Sequence, residues 1–247
     1  MKNLFLLIGI VFVPYLVYPQ ASLKKADTAK ASSLYLDFSV GLSQPLGSYS
    51  SADVKNSDAG FAAPGSVIQV NFDWLGKNNI GLALEYNYQR NPLNSSVKND
   101  TLRGTGKPNQ PLGIGNSTNH YLMAGIGVIH FFDKVYVEGR ALFGFVISST
   151  PVFKTMDVSK NVSTNIGTGL AGGVQLGVGY SINPRVTVKA NIEYLLGKPG
   201  INKQYKGEMI LDTITHTYYP SALQKINTKL TVSTLLIKAG VVIKLSK

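Results

Sequence analysis

The stretch LAGGVQLGVGYSINPRVTVKANIEYLLG, Leu170 to Gly197, decides the fold. Its first half places Leu170, Gly172, Val174, Leu176, Val178 and Tyr180 on one parity, against Ala171, Gly173, Gln175, Gly177, Gly179 and Ser181 on the other. Its second half sets Val186, Val188, Ala190, Ile192, Tyr194 and Leu196 against Thr187, Lys189, Asn191, Glu193 and Leu195. Successive side chains of a strand point to opposite faces, so each half has one apolar face and one small or polar face. Asn183-Pro184 between them is a turn signal, and the whole is an antiparallel hairpin. Its apolar face must meet either a protein core or lipid.

The same two-residue period recurs from Ser33 onward. Leu34, Leu36, Phe38, Val40 and Leu42 alternate with Tyr35, Asp37, Ser39, Gly41 and Ser43. Ile68 to Trp74, Ile80 to Tyr88, Val135 to Phe145 and Leu235 to Leu245 repeat the pattern, and His120 to Phe132 carries it less cleanly. With the opening hairpin these make eight strands. Short connections at Leu75–Asn79, Asp133–Lys134 and Ser181–Arg185 alternate with long ones at Gln44–Pro64, Asn91–Asn119, Ser148–Thr168 and Lys198–Ile226. An even number of strands, with short turns at one end and long loops at the other, is the topology of a bacterial outer-membrane barrel. The expected fold is all-β, an eight-stranded antiparallel up-and-down transmembrane β-barrel. Aromatic residues on the apolar parity add a girdle, with Trp74, Phe132 and Tyr180 at periplasmic strand ends and Tyr86, Tyr88, Phe145 and Tyr194 toward the outer ends.

The chain has 247 residues, no cysteine, 25 glycines and a formal net charge of +11. Lys2 followed by an apolar run from Leu4 to Val17 and then Pro19-Gln20-Ala21 predicts a secretory signal peptide over 1–21. A flexible periplasmic leader follows over 22–32, and the barrel domain spans 33–247. The absence of cysteine excludes a lipid anchor on an N-terminal cysteine and leaves an exported fold without disulfides. No later apolar run is long enough for a helical span, so strands must carry any membrane crossing. A soluble secreted barrel of lipocalin type is the alternative, with the apolar parity turned inward. It would place Gly41, Gly81, Gly125, Gly127, Gly173, Gly177 and Gly179 on a water-facing wall.

FSVGLSQPLGSYSS, Phe38 to Ser51, joins a glycine-containing strand to a loop opened by Pro45 and Gly47. With the strand and loop pattern from Ser33 to Lys247, it makes the chain resemble the small outer-membrane β-barrels of OmpX-like and PorT-like type, within the porin-family barrels. That resemblance implies residence in the bacterial outer membrane. It also allows a role as accessory subunit of a secretion or uptake machine. Two departures stand out. Family members end on an aromatic residue, whereas this chain ends Ile243-Lys244-Leu245-Ser246-Lys247, and no peptidoglycan-binding module follows the last strand.

The inward parity holds Asp37, Asp73, Glu85, Glu138, Arg140, Lys189, Glu193 and Lys238. An eight-stranded barrel is just wide enough for side chains to fill, so these charges are expected to pair across the lumen as a plug. A conductance rise on replacing Arg140 is the corresponding expectation, and a narrow pore is the alternative. Some barrels of similar architecture are lipid A-modifying enzymes that use a histidine with serine or aspartate near the outer rim. Here His120, His130 and His216 share no such spacing, and the chain is read as non-enzymatic. RGTGKPNQPLGIG, Arg103 to Gly115, lacks the spacing and the Ser or Thr of a phosphate-binding loop. Lys98, Arg103, Lys107, Lys154, Lys160, Lys203 and Lys206 make the long loops basic, which suits outer-membrane lipid and lipopolysaccharide phosphates or anionic glycans as partners, with a possible protein partner of unknown identity; ordinary solubilising charge is the alternative. No cofactor, metal or nucleic-acid module is expected. The function expected is that of a structural or interaction protein presenting four long, polar, basic surface loops.

Overall fold

The computed structural model describes residues 32–51, 60–94, 113–114, 116–150, 152–153, 165–205, 209–212, 217–220 and 224–245. The predicted signal peptide and most of the leader lie outside them. So do Lys98, Arg103, Lys107, Lys154, Lys160, Lys206, His216 and most of the Arg103–Gly115 stretch, and Lys203 is described in its backbone only.

Eight strands follow one another around a closed wall: β1 Ser33–Leu46, β2 Gly65–Leu75, β3 Ile80–Pro92, β4 Asn116–Phe132, β5 Val135–Thr150, β6 Asn165–Ser181, β7 Val186–Tyr205 and β8 Val232–Lys244. Each pairs antiparallel with its sequence neighbour, and β1 closes on β8 from Tyr35↔Lys244 to Leu46↔Ser233. A further segment, Gln224–Lys229, pairs with β7 in the register that β8 continues, Lys229↔Gly200 and then Val232↔Gly197. It is the outer end of β8. The ladder is interrupted where Leu230 lies opposite Pro199, which has no N–H to give, and the Leu230 N–H bonds the Pro199 carbonyl at 3.2 Å.

The turns at the short end form for local reasons. Asn183 Oδ1 accepts the Arg185 and Val186 N–H groups at 2.9 and 2.8 Å, folding the β6–β7 hairpin before any distant contact is made. Asp133 and Asn79 hold φ of 57° and 61° in the β4–β5 and β2–β3 turns, a conformation these residues tolerate better than most.

The apolar parity faces out. Leu42 is 67% exposed and Phe143 63%, while inward Asp37 and Glu85 are 0%. On β7 the apolar outward row runs from Val186 to Leu196, which at ~3.3 Å per residue and a tilt of about 40° is a band about 25 Å tall. That matches hydrocarbon thickness, and only lipid satisfies such a surface. Strands continue past it. β3 reaches Pro92, β4 starts at Asn116, β5 reaches Thr150, β6 starts at Asn165 and β7 reaches Tyr205, each extending into what the alternation marks as loop. The alternation ends at the bilayer surface, where Gln44, Ser66, Arg90, Thr118, Ser149 and Lys198 take outward positions, but backbone pairing needs no lipid and goes on.

Candidate functional site

Two surfaces are open to chemistry, the lumen and the outward wall at the outer boundary.

From the periplasmic end the lumen begins as a cavity of about 570 Å³, lined among others by Tyr35, Phe131, Tyr136, Arg185 and Lys244. Its floor is charged. Arg140 Nη2 bonds Asp73 Oδ2 and Glu138 Oε2, both at 3.0 Å. Lys189 Nζ bonds Glu138 Oε1 at 3.0 Å and also reaches Asp37. Gln175 donates to Glu138 at 2.8 Å, and Asn71 and Ser39 each donate to Asp37 at 2.9 Å. Next toward the outside, Lys238 pairs with Glu193, and Asn87 donates to Glu85. All eight charged residues read from the sequence are therefore buried in the lumen, in two groups rather than one. They are not balanced in charge. Asp37, Asp73, Glu85, Glu138 and Glu193 face Arg140, Lys189 and Lys238, while Lys244 sits at the mouth. Small residues make this possible, since a Cβ on Gly177 would lie 2.8 Å from Glu138 Oε1 and one on Gly179 2.3 Å from the Tyr136 ring.

Above the charges lies a layer the charged pattern gave no reason to expect. Tyr121, Met123, Leu142, Val146, Leu195 and Leu236 meet in an apolar cluster that Tyr49, from the 3₁₀ turn Gly47–Ser50, caps from outside. Asn119 donates to the Tyr49 hydroxyl at 2.7 Å and Ser148 to Asn119 Oδ1 at 2.6 Å. Burial pushes the Tyr49 phenol up to about 12, against the Asn119 hydrogen bond that favours its ionised form. The available signal was the breaks in alternation, Tyr121-Leu122-Met123, Leu142-Phe143, Leu195-Leu196 and Leu235-Leu236, where both faces are apolar.

The outward wall carries the aromatic residues. Trp74, Phe132 and Tyr180 sit at the short-turn end, and Tyr86, Tyr88, Phe145 and Tyr194 toward the other, all facing out and all at least partly exposed. His120 joins them: the Tyr86 hydroxyl lies 2.8 Å from its Nδ1 and the Tyr88 ring centroid 5.0 Å from its own. His130 stacks edge-on against Phe132 near the periplasmic rim, 4.5 Å between ring centroids. Among the described residues no group of histidine, cysteine, aspartate and glutamate has the geometry of a metal site.

The chain matches no described protein family. It matches no curated protein either. Solved structures are similar in fold. Neisserial surface protein A, from Neisseria, superposes with a TM-score of 0.51 at 15% identity over 87% of this chain and 100% of that one. The outer-membrane protein OprG from Pseudomonas aeruginosa gives 0.51 at 13% identity over 88% and 98%. At these identities the likeness is one of fold, and together with the lipid-matched exterior it gives the conclusion that this chain is an eight-stranded transmembrane barrel of the small bacterial outer-membrane type.

Proposed function

We propose that this outer-membrane barrel is a structural or interaction protein that works through its outer rim and loops, with a lumen closed to ions. The observation that supports this reading is that two different barriers stand in series. An ion reaching the periplasmic cavity meets the Arg140 and Lys189 network, and behind it the apolar layer beneath Tyr49. A lumen filled by buried side chains leaves a hydrated ion no open path, and the apolar cluster offers it nothing in exchange for its water.

The reading is also non-enzymatic. His120 has Tyr86 and Tyr88 as neighbours, and the described outward wall of the strands holds no carboxylate to orient it as a base.

Conductance across a planar bilayer is the test, with folded protein identified by its gel mobility shift on boiling. No steps above the bare membrane are expected in concentrated KCl. A large ohmic conductance from the unaltered protein overturns the reading. The serial barriers also revise the expectation for Arg140: Arg140→Ala alone stays silent because the apolar layer remains, and current requires that layer to be opened as well, as in Arg140→Ala combined with Tyr49→Gly and Leu195→Gly.

A further inference from the structure

At the outer boundary the exterior of β3, β4 and β5 departs from a simple aromatic belt. Arg90 lies opposite Thr118, and one step toward the membrane Tyr88 lies opposite His120, so Arg90 and His120 are diagonal neighbours on one face. Such neighbours are about 7–8 Å apart, within reach of a long side chain. Arg90 is exposed and lies against Asn116; with the Asn116 amide turned so that its oxygen faces the guanidinium, that oxygen accepts from Nε at 2.9 Å and Nη2 at 2.7 Å. A guanidinium has about five N–H donors, and this contact engages two of them. His120 is fixed through Nδ1 by Tyr86. With the Tyr86 hydroxyl donating, or with the imidazole charged, Nε2 carries a proton and is a donor. Thr118 and Ser149 share a hydrogen bond of 2.9 Å beside them, adding hydroxyls across to β5. On the eight strands of the wall no carboxylate faces outward, because Asp37, Asp73, Glu85, Glu138 and Glu193 all point into the lumen. One outward row further in, Tyr86, Leu122 and Phe145 align across the three strands as an apolar surface.

We propose that this patch binds the phosphate of an outer-leaflet glycolipid, with Arg90 and His120 holding the phosphate, the Thr118 and Ser149 hydroxyls meeting the sugar, and an acyl chain lying on Leu122 and Phe145. Cationic and hydroxyl donors at headgroup depth, directly above an apolar row and on a wall of eight strands whose carboxylates point inward, select a phosphorylated amphiphile. The inference does not depend on whether the lumen conducts.

Folded protein in micelles is titrated with lipid A, with lipid A stripped of its phosphates and with inorganic phosphate, and bound lipid is read by native mass spectrometry. Lipid A binds, the dephosphorylated lipid binds at least about tenfold more weakly, and Arg90→Gln and His120→Gln each lose about tenfold, in keeping with charge-assisted hydrogen bonds. Added salt weakens the complex. Lys77→Gln, at the opposite end of the barrel, leaves binding unchanged, and all three variants keep the heat-dependent gel shift because the replaced groups face outward. Equal binding by the double variant Arg90→Gln/His120→Gln, or by the dephosphorylated lipid, overturns the proposal. Displacement of lipid A by inorganic phosphate would overturn the lipid as the source of the phosphate.

Discussion

Lys238 and Glu193 show what a single buried charge does in this barrel. Both are fully shielded from solvent, and Glu85 adds a second carboxylate facing the same pair. Removing one member of a buried pair strands the other, at a cost of about 3–5 kcal/mol. Lys238→Met is therefore expected to lower the urea midpoint of unfolding strongly, with Glu193→Gln in the same chain restoring most of the loss. A midpoint within the error of the unaltered protein would mean that water reaches the pair. Tyr49 offers a pH test at the same scale. Its folded-state pKa, about 12, lies above the free value of 10, so its contribution is complete below pH 10 and declines as pH rises from 10 toward 12. Tyr49→Phe should flatten the alkaline fall in stability over that window.

At the scale of the element, the β6–β7 hairpin depends on two devices. Asn183 closes the turn with two bonds to backbone N–H groups, and Asn183→Ala is expected to cost about 1 kcal/mol and to slow folding into vesicles. Gly179 leaves the space that the Tyr136 ring fills from β5. A valine there must displace the ring, at about 1–3 kcal/mol, and the loss should shrink when Tyr136→Ala is combined with it. If the double variant is as unstable as the sum of the two, the ring and the glycine are not coupled. The length of the strands follows the same logic of local cause: lipid sets where alternation stops, whereas hydrogen bonding sets where pairing stops.

For the whole molecule, the inverted surface is the governing fact. The chain has one tryptophan, Trp74, and it faces out, 45% exposed, near the short-turn end of the apolar band. Protein refolded into vesicles whose acyl chains carry bromine should show quenched Trp74 fluorescence, whereas a soluble barrel with its apolar face inward would show none. Phe143 lies in the middle of the band at 63% exposed, and Phe143→Arg is expected to destabilise by about 2–4 kcal/mol in a bilayer. The lumen behaves in the opposite sense, since Lys238 and Glu193 are already paired there and replacing both by apolar residues is expected to be tolerated.

The sequence by itself determined the wall. Alternation along Ser33–Ser43, Leu170–Ser181 and Val186–Leu196 states which side chains face out, the turn residues state the order of strands, and Asp37, Asp73, Glu85, Glu138, Arg140, Lys189, Glu193 and Lys238 are legible as inward because the period of a strand is two. Tertiary structure alone decided who meets whom inside. Arg140 and Asp73 are 67 positions apart, and their contact depends on barrel closure and stagger, which no local pattern encodes. The same closure gathers Tyr121, Val146, Leu195 and Leu236 into one apolar layer, and brings Tyr49 down from a loop to seal it. It also sets Arg90 beside His120 on the outside, because the register between neighbouring strands is fixed by pairing around the whole wall rather than by either strand alone.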